Sequence, residues 1–287
     1  MSGEPLVAVI GGSGLCTQDV FPFIDKVRPT TAYGEASDAI SICSYRGATG
    51  ATRTLAFLPR HGAHHTLAPH KVPYRANLAA LRSLGVQQVV ATCIAGSLRR
   101  RVRPGDLVIP DQFVNLTSGR DPDGPPELIH VPMADPYCPR LRILCAEAGT
   151  RGGLRTHRRA TVAVIQGPRF STRAESRWFA RQGWSLVNMT QYPECYLARE
   201  FGLCYVALAM ITDYDVGVGR RRISFGTDTS VRPVLDVFGR NVAALKNLLA
   251  ATAVHLPLDG SCGCSQPLPP EYYKQQEHNA VKAEEAS

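Results

Sequence analysis

No apolar run in the 287 residues approaches the ~18 needed to cross a bilayer, which excludes a helical membrane span. Met1 to Pro5 is polar without a basic stretch, and Leu6 to Ile10 is too short for a signal core before it meets glycines. The expected location is therefore cytoplasmic. No Cys-x-x-Cys pair occurs among the nine cysteines, which speaks against a structural zinc site. Most cysteines sit in apolar runs, as small core residues do. Cys262 and Cys264, one residue apart in a polar tail, are read as reduced, solvent-facing thiols rather than as a strained disulfide or metal ligands. His-Glu-x-x-His and Gly-x-Ser-x-Gly are also missing, which removes the zinc peptidase and nucleophile-elbow hydrolase readings.

Positive charge is plentiful, at net +8. That raises a nucleic-acid binder. Yet Arg99-Arg100-Arg101 with Arg103, and Arg220-Arg221-Arg222, are not interleaved with the aromatics of a single-strand binding face. A solvated basic rim that attracts small anions is the better reading, with neither nucleic acid nor membrane as partner.

Leu6–Ile10, Thr54–Leu58, Val89–Ile94, Asp106–Pro110, Ala160–Ile165, Leu186–Val187 and Cys204–Thr212 read as short buried strands. Asn77–Leu84, Arg173–Gln182, Pro193–Phe201 and Pro233–His255 read as helices. No linker interrupts residues 1–258. This order predicts one α/β domain with a mixed, largely parallel central sheet flanked by helices. Residues 259–287, rich in Gly, Ser, Pro, Gln and Glu, read as a loosely ordered tail.

Ligands of such sheets collect at the carboxyl ends of strands, and polar clusters recur there. Gly11-Gly12-Ser13-Gly14 closes the first strand, but without the Lys-Ser/Thr end of a Walker loop. It is a weak anion cradle, with a plain tight turn as the alternative. Arg60-His61-Gly62 with His64-His65 follows the second; the arginine fork suits phosphate oxygens, and without clustered acids nearby the metal reading is weaker. Asp213-Tyr214-Asp215 ends the most apolar strand, with two carboxylates at i and i+2 on one face. Such a pair can raise one member's pKa and hold a proton. Asn188-Met189-Thr190 ends another strand and reads alone as a helix cap. Together these residues suggest an anion-binding α/β enzyme with a carboxylate pair.

The same segments, with Pro73-Tyr74-Arg75-Ala76-Asn77, Pro104-Gly105-Asp106, Pro132 to Pro139 and Gly167 to Ser176, resemble one family in order over residues 6–255. It is the S-methyl-5′-thioadenosine phosphorylase branch of the trimeric purine nucleoside phosphorylases, and the tail is similar to those of actinobacterial members. The resemblance implies a phosphate site at Ser13, Arg60, His61, Thr190 and the backbone of Cys93 and Ile94. It implies that Met189, Phe170, Ser171, Asp213, Tyr214 and Asp215 meet base and sugar, with Asp213 and Asp215 catalytic. It also implies a homotrimer with sites at subunit interfaces, His130 of a neighbouring subunit approaching the 5′ end, and Val231, Val234 and Leu235 around the 5′ substituent. The chain departs from the family at Cys93, often Thr, at Gln166, often Glu, and in a long Gly217–Thr229 stretch where a lid over the 5′ pocket belongs.

The implied reaction uses inorganic phosphate as co-substrate and needs neither metal nor organic cofactor. A carboxylate at 213 accepts from N6–H₂ and a protonated N7, and so favours adenine over a 6-oxopurine. Open alternatives are a phosphorylase for inosine or methylthioinosine, one for a 5′-deoxy or 5′-halo adenosine, and a catalytically silent binding protein.

Overall fold

Alternation in the first strand decides how the layers form. In β1 (Leu6–Gly11), Val7 and Val9 enter one apolar cluster while Ala8 and Ile10 enter another, so both faces of the strand are covered. The computed structural model describes residues 6–12, 21–46, 50, 52–120, 130–218, 231–256 and 262–264. Its strands continue as β2 (Phe23–Val27), β3 (Ile40–Arg46), β4 (Thr52–Pro59), β5 (Val86–Ser97), β6 (Leu107–Val108), β7 (Gln112–Leu116), β8 (Thr156–His157), β9 (Thr161–Ile165), β10 (Leu186–Asn188) and β11 (Cys204–Tyr214). The helices are α1 (Tyr74–Ser83), α2 (Pro139–Arg151), α3 (Arg173–Arg181), α4 (Gln191–Glu200) and α5 (Val231–His255).

The strands form one mixed sheet in the order β2-β3-β4-β1-β5-β10-β9-β7, with β11 beside β5, β6 beside β11 and β8 beside β6. Parallel pairs β1/β4, β1/β5, β5/β11, β9/β10 and β7/β9 form its centre, and β2/β3, β3/β4, β5/β10 and β6/β11 run antiparallel. The predicted α/β sheet flanked by helices is the observed one. Helices α1 and α4 pack together, α1 also touching β5 and α4 touching β11, while α2 and α5 pack together against β11.

The twelve-residue β5 is the spine. Along one edge it pairs with β11 from Gln88 to Ser97. Along the other it pairs with β1 as far as Ala91, then with antiparallel β10 at Gly96 and Ser97. Between these partners Thr92 to Ile94 have an open edge. The carboxyl ends of β1, β4 and β10 surround that gap, and the end of β11 lies across β5 from it.

Several elements were invisible to periodicity. In β2, Phe23 and Ile24 are both exposed, so no face alternates. In α2, Pro139 stands at the first turn, and the buried stripe is Leu141, Cys145, Ala146, Ala148 and Gly149 rather than large apolar residues. The α3 start is local chemistry: Thr172 and Glu175 form a reciprocal capping box. One expectation is corrected. Cys264 is 3% exposed and packs in the core cluster of α2, α5 and β11, with the partly exposed Cys262 against it, so these thiols do not sit in a solvated tail.

Candidate active site

A cavity of about 530 Å³ opens at the gap beside β5. Its size lies in the ordinary range for small-molecule sites. Of the residues expected to bind phosphate, Arg60, His61, Cys93, Ile94 and Thr190 all line it. Ser13 lies outside the described residues, although the neighbouring Gly12 lines the wall.

Arg60 follows β4 and is 1% exposed. Its guanidinium is held on three sides: Nε donates to Glu194 Oε2 at 2.5 Å, Nη2 to Glu194 Oε1 at 2.7 Å and Nη1 to the Thr92 carbonyl at 2.8 Å. The Tyr205 hydroxyl also donates to Glu194, at 2.7 Å. One N–H on each Nη is left for a ligand, of the five that arginine carries. A buried charge needs such a partner, and Glu194 supplies it from α4. Sequence reasoning missed Glu194 as a site residue, because an acid in an amphipathic helix reads as a solvated one.

His61 contacts the Leu67 carbonyl through Nδ1 at 2.8 Å. A carbonyl can only accept, so Nδ1 carries the proton and Nε2 is an acceptor. Burial, aided by the neighbouring Arg60 cation, pushes its pKa down to about 4. The ring is therefore neutral at physiological pH. The His65 ring lies beside it, centroids 4.5 Å apart and tilted by 47°, and also lines the cavity.

Cys93 lies on β5 with its sulfur 3.6 Å from Gln191 Nε2. Burial raises the thiol to about 12, so it stays protonated. Asn188 organises the end of β10. Its Oδ1 accepts from the backbone N–H of Thr190 at 2.7 Å and of Gln191 at 3.0 Å, and its Nδ2 donates to the Ile94 carbonyl at 2.9 Å. These bonds fix Thr190 at the cavity wall; the N-cap of α4 is Thr190 itself, without a side-chain cap bond, so the motif is a turn before the helix rather than the expected cap.

Asp213 and Asp215 line the opposite wall and share a face, as their spacing predicted. The irregularity between Ile211 and Asp213 in the β11/β5 register shifts this end of the strand, a common device for re-aiming a side chain. Burial raises the Asp213 carboxyl above its ordinary value, opposed by the Thr212 hydroxyl donating at 2.8 Å and reinforced by Asp215. Burial also raises Asp215, opposed by the nearby Ser176 and Ser171 hydroxyls and the Val216 N–H. Asp215 Oδ2 and Ser171 Oγ are buried without a hydrogen bond inside the protein.

Met189, Phe170 and Ser171 also line the cavity, with Phe170 54% exposed. Tyr214 does not, which corrects the expectation that it meets substrate. Strand alternation turns it to the other face, where its hydroxyl donates to the Arg100 carbonyl at 3.1 Å. His130 is exposed and does not line its own chain's cavity. Val231, Val234 and Leu235 fall on the first turns of α5, but their side chains, like residues 219–229 of the expected lid, lie outside the described residues.

The chain is similar to known proteins over most of its length. The S-methyl-5′-thioadenosine phosphorylase of Mycolicibacterium smegmatis is 47% identical over 263 residues, covering 90% of this chain and 93% of that protein. The purine nucleoside phosphorylase of Streptomyces coelicolor is 42% identical over 271 residues, covering 90% and 91%. The methylthioadenosine phosphorylase of Schistosoma mansoni, solved in complex with adenine, superposes with a TM-score of 0.79 at 30% identity over 97% of this chain and 98% of that one. The model of the phosphorylase superfamily matches residues 6–253, so the whole sheet and every described wall of the cavity lie in the matched region, and the chain belongs to that superfamily.

Proposed function

We propose that the chain cleaves the N-glycosidic bond of S-methyl-5′-thioadenosine with inorganic phosphate, giving adenine and 5-methylthioribose 1-phosphate. One observation carries the reading. A single cavity joins an anion corner, Arg60, His61 and Thr190, to a buried pair of carboxyls, Asp213 and Asp215, across apolar and sulfur-bearing residues such as Val187 and Met189. The names of the similar proteins support the same substrate.

In this reading, the free N–H groups of Arg60 and the Thr190 hydroxyl hold phosphate beside C1′. Neutral His61 offers Nε2 as an acceptor, so the phosphate oxygen facing it carries a proton. Fixing the nucleophile converts its encounter into a positioned reaction. As the C1′–N9 bond breaks, its electron pair moves into the purine. Asp213, raised by burial, shares a proton with N7 so that adenine leaves neutral. The sugar carries oxocarbenium character until a phosphate oxygen bonds to C1′. These steps draw on the chain's own side chains and on phosphate, with no organic cofactor assigned.

The proposal extends to a homotrimer in which the partner's copy of His130 completes the 5′ end; sedimentation gives its mass directly. For the reaction itself, adenine release from methylthioadenosine is measured with and without phosphate. Release is expected only with phosphate, and an equal rate in its absence assigns a hydrolase. Inosine in the same assay tests the 6-oxopurine alternative, and slow turnover is expected.

A further inference from the structure

Four cysteines outside the cavity converge from three parts of the chain. Cys138 caps the N-terminus of α2, Cys204 begins β11, and Cys262 and Cys264 follow α5. Their sulfurs all lie within 4.8 Å of one another. We propose that these four thiols form a structural zinc site that clamps the chain beyond α5 onto the sheet.

Closeness alone would also suit a pair of disulfides, so the spacing matters. Zinc in a tetrahedral site lies ~2.3 Å from each thiolate, which sets neighbouring sulfurs roughly 3.8 Å apart. The cluster's limit of 4.8 Å and the Cys204–Cys262 separation of 3.1 Å bracket that edge. A disulfide needs about 2.05 Å, and all four cysteines are free. The backbone is arranged for convergence. Cys138 N–H donates to the Tyr205 carbonyl at 2.9 Å, tying the α2 cap to the residue after Cys204, and Cys264 N–H donates to the Cys262 carbonyl at 2.7 Å, a tight turn that holds the last two thiols together.

The donor set selects the ion. Four sulfurs without a carboxylate favour a soft or borderline cation over magnesium or calcium. Three of the four are buried and Cys262 is partly exposed, so the site is closed by protein and has no position reserved for substrate. It is also far from the chemistry. Cys204 and Asp213 stand at opposite ends of β11, nine residues apart, roughly 30 Å at strand rise. The sequence hid this site because its ligands are not a Cys-x-x-Cys pair but two distant single cysteines and one Cys-Gly-Cys.

The test is metal content. Protein purified under reducing conditions without chelator is expected to hold about one zinc per chain by mass spectrometry of the metal. The Cys262→Ser/Cys264→Ser variant is expected to lose at least tenfold of it, with phosphorolysis kcat within twofold, since neither residue lines the cavity. Cobalt(II) added to the stripped parent should produce thiolate charge-transfer bands that the variant lacks, a readout independent of the variant's yield. Reduced parent that takes up neither zinc nor cobalt overturns the proposal. So does unchanged zinc in the double variant, or a parent whose four thiols are recovered only as two disulfides and bind no zinc after reduction.

Discussion

Replacing Glu194 by Gln should uncouple phosphate binding from nucleoside binding, although Glu194 touches neither ligand in the proposed mechanism. The carboxylate accepts from Arg60 Nε, Arg60 Nη2 and the Tyr205 hydroxyl, and both it and Arg60 are 1% exposed at the side chain. An amide keeps one acceptor oxygen but turns an N–H₂ toward a donor. It also removes the charge that balances a buried guanidinium. Breaking such a pair typically costs about 3–5 kcal/mol; the isosteric amide belongs at the low end, about 3 kcal/mol. In a domain of this size each kcal/mol moves the thermal midpoint by roughly 2–4 °C, so a fall of about 6–12 °C is expected. Arg60 then loses its fixed orientation, and the KM for phosphate should rise by about 10- to 100-fold, equivalent to about 1.4–2.8 kcal/mol. The KM for the nucleoside should stay within about twofold, because Glu194 acts only through Arg60. Steady-state kinetics with each substrate varied in turn read both constants, and thermal denaturation reads the fold. A second variant separates the two effects. Arg60→Met with Glu194→Leu removes both charges and should recover part of the lost stability, the Thr92 carbonyl and Tyr205 hydroxyl staying without these partners, and should not recover phosphate binding. An unchanged phosphate KM in Glu194→Gln, or an equal rise in both KM values, would refute the reasoning.

Gly167 has φ +61°, and a Cβ there would stand 2.6 Å from Met189 Sδ; Gly167→Ala should therefore cost about 1–2 kcal/mol and raise the nucleoside KM more than the phosphate KM, as kinetics with each substrate would show. Asp213→Asn should shift the adenosine-to-inosine ratio of kcat/KM toward inosine by ~100-fold or more. The same variant should melt higher than the parent at neutral pH. The folded state raises the Asp213 pKa, so its contribution is intact below the ordinary carboxylate pKa and is lost as pH rises through the raised one. Melting curves from pH 4 to 8 should show the advantage of Asn shrinking toward the acid end. His61 gives the opposite limb: its pKa falls from 6.5 to about 4, so stability is full above pH 6.5 and declines between 6.5 and about 4 as the unfolded chain takes up a proton the folded one refuses. His61→Asn should flatten that limb in denaturant titrations at each pH.

The walls of the cavity were readable wherever an apolar run ended in polar residues. β1, β4, β5, β10 and β11 each signal their buried strand by composition, and Arg60, His61, Asn188, Thr190, Asp213 and Asp215 follow or end such strands. Two kinds of information were not local. Glu194 stands 134 residues from Arg60, and nothing near it in the chain marks it as a buried counter-ion. The cysteine cluster likewise joins positions that only the packing of α2, β11 and the segment after α5 brings together. An edge strand failed for another reason. β2 is held by its ladder to β3, and its exposed Phe23 and Ile24 give no period to read. Tyr214 shows the limit of a motif read as a block: it points to the Arg100 carbonyl while Asp213 and Asp215 on either side line the cavity.

The change of partner along β5 has a consequence for interpreting variants. Between its departure from β1 and its arrival at β10, the outward carbonyls of Thr92 and Ile94 are met by Arg60 and by Asn188. Those side chains occupy rungs of the sheet that a missing strand would otherwise fill. The same two side chains that present a cation to the cavity and fix Thr190 at its wall thus repair a gap in the ladder. A screen that scores only activity will record the loss of Arg60 or Asn188 as a defect in ligand recognition, while part of the deficit is two stranded carbonyls in the middle of the protein.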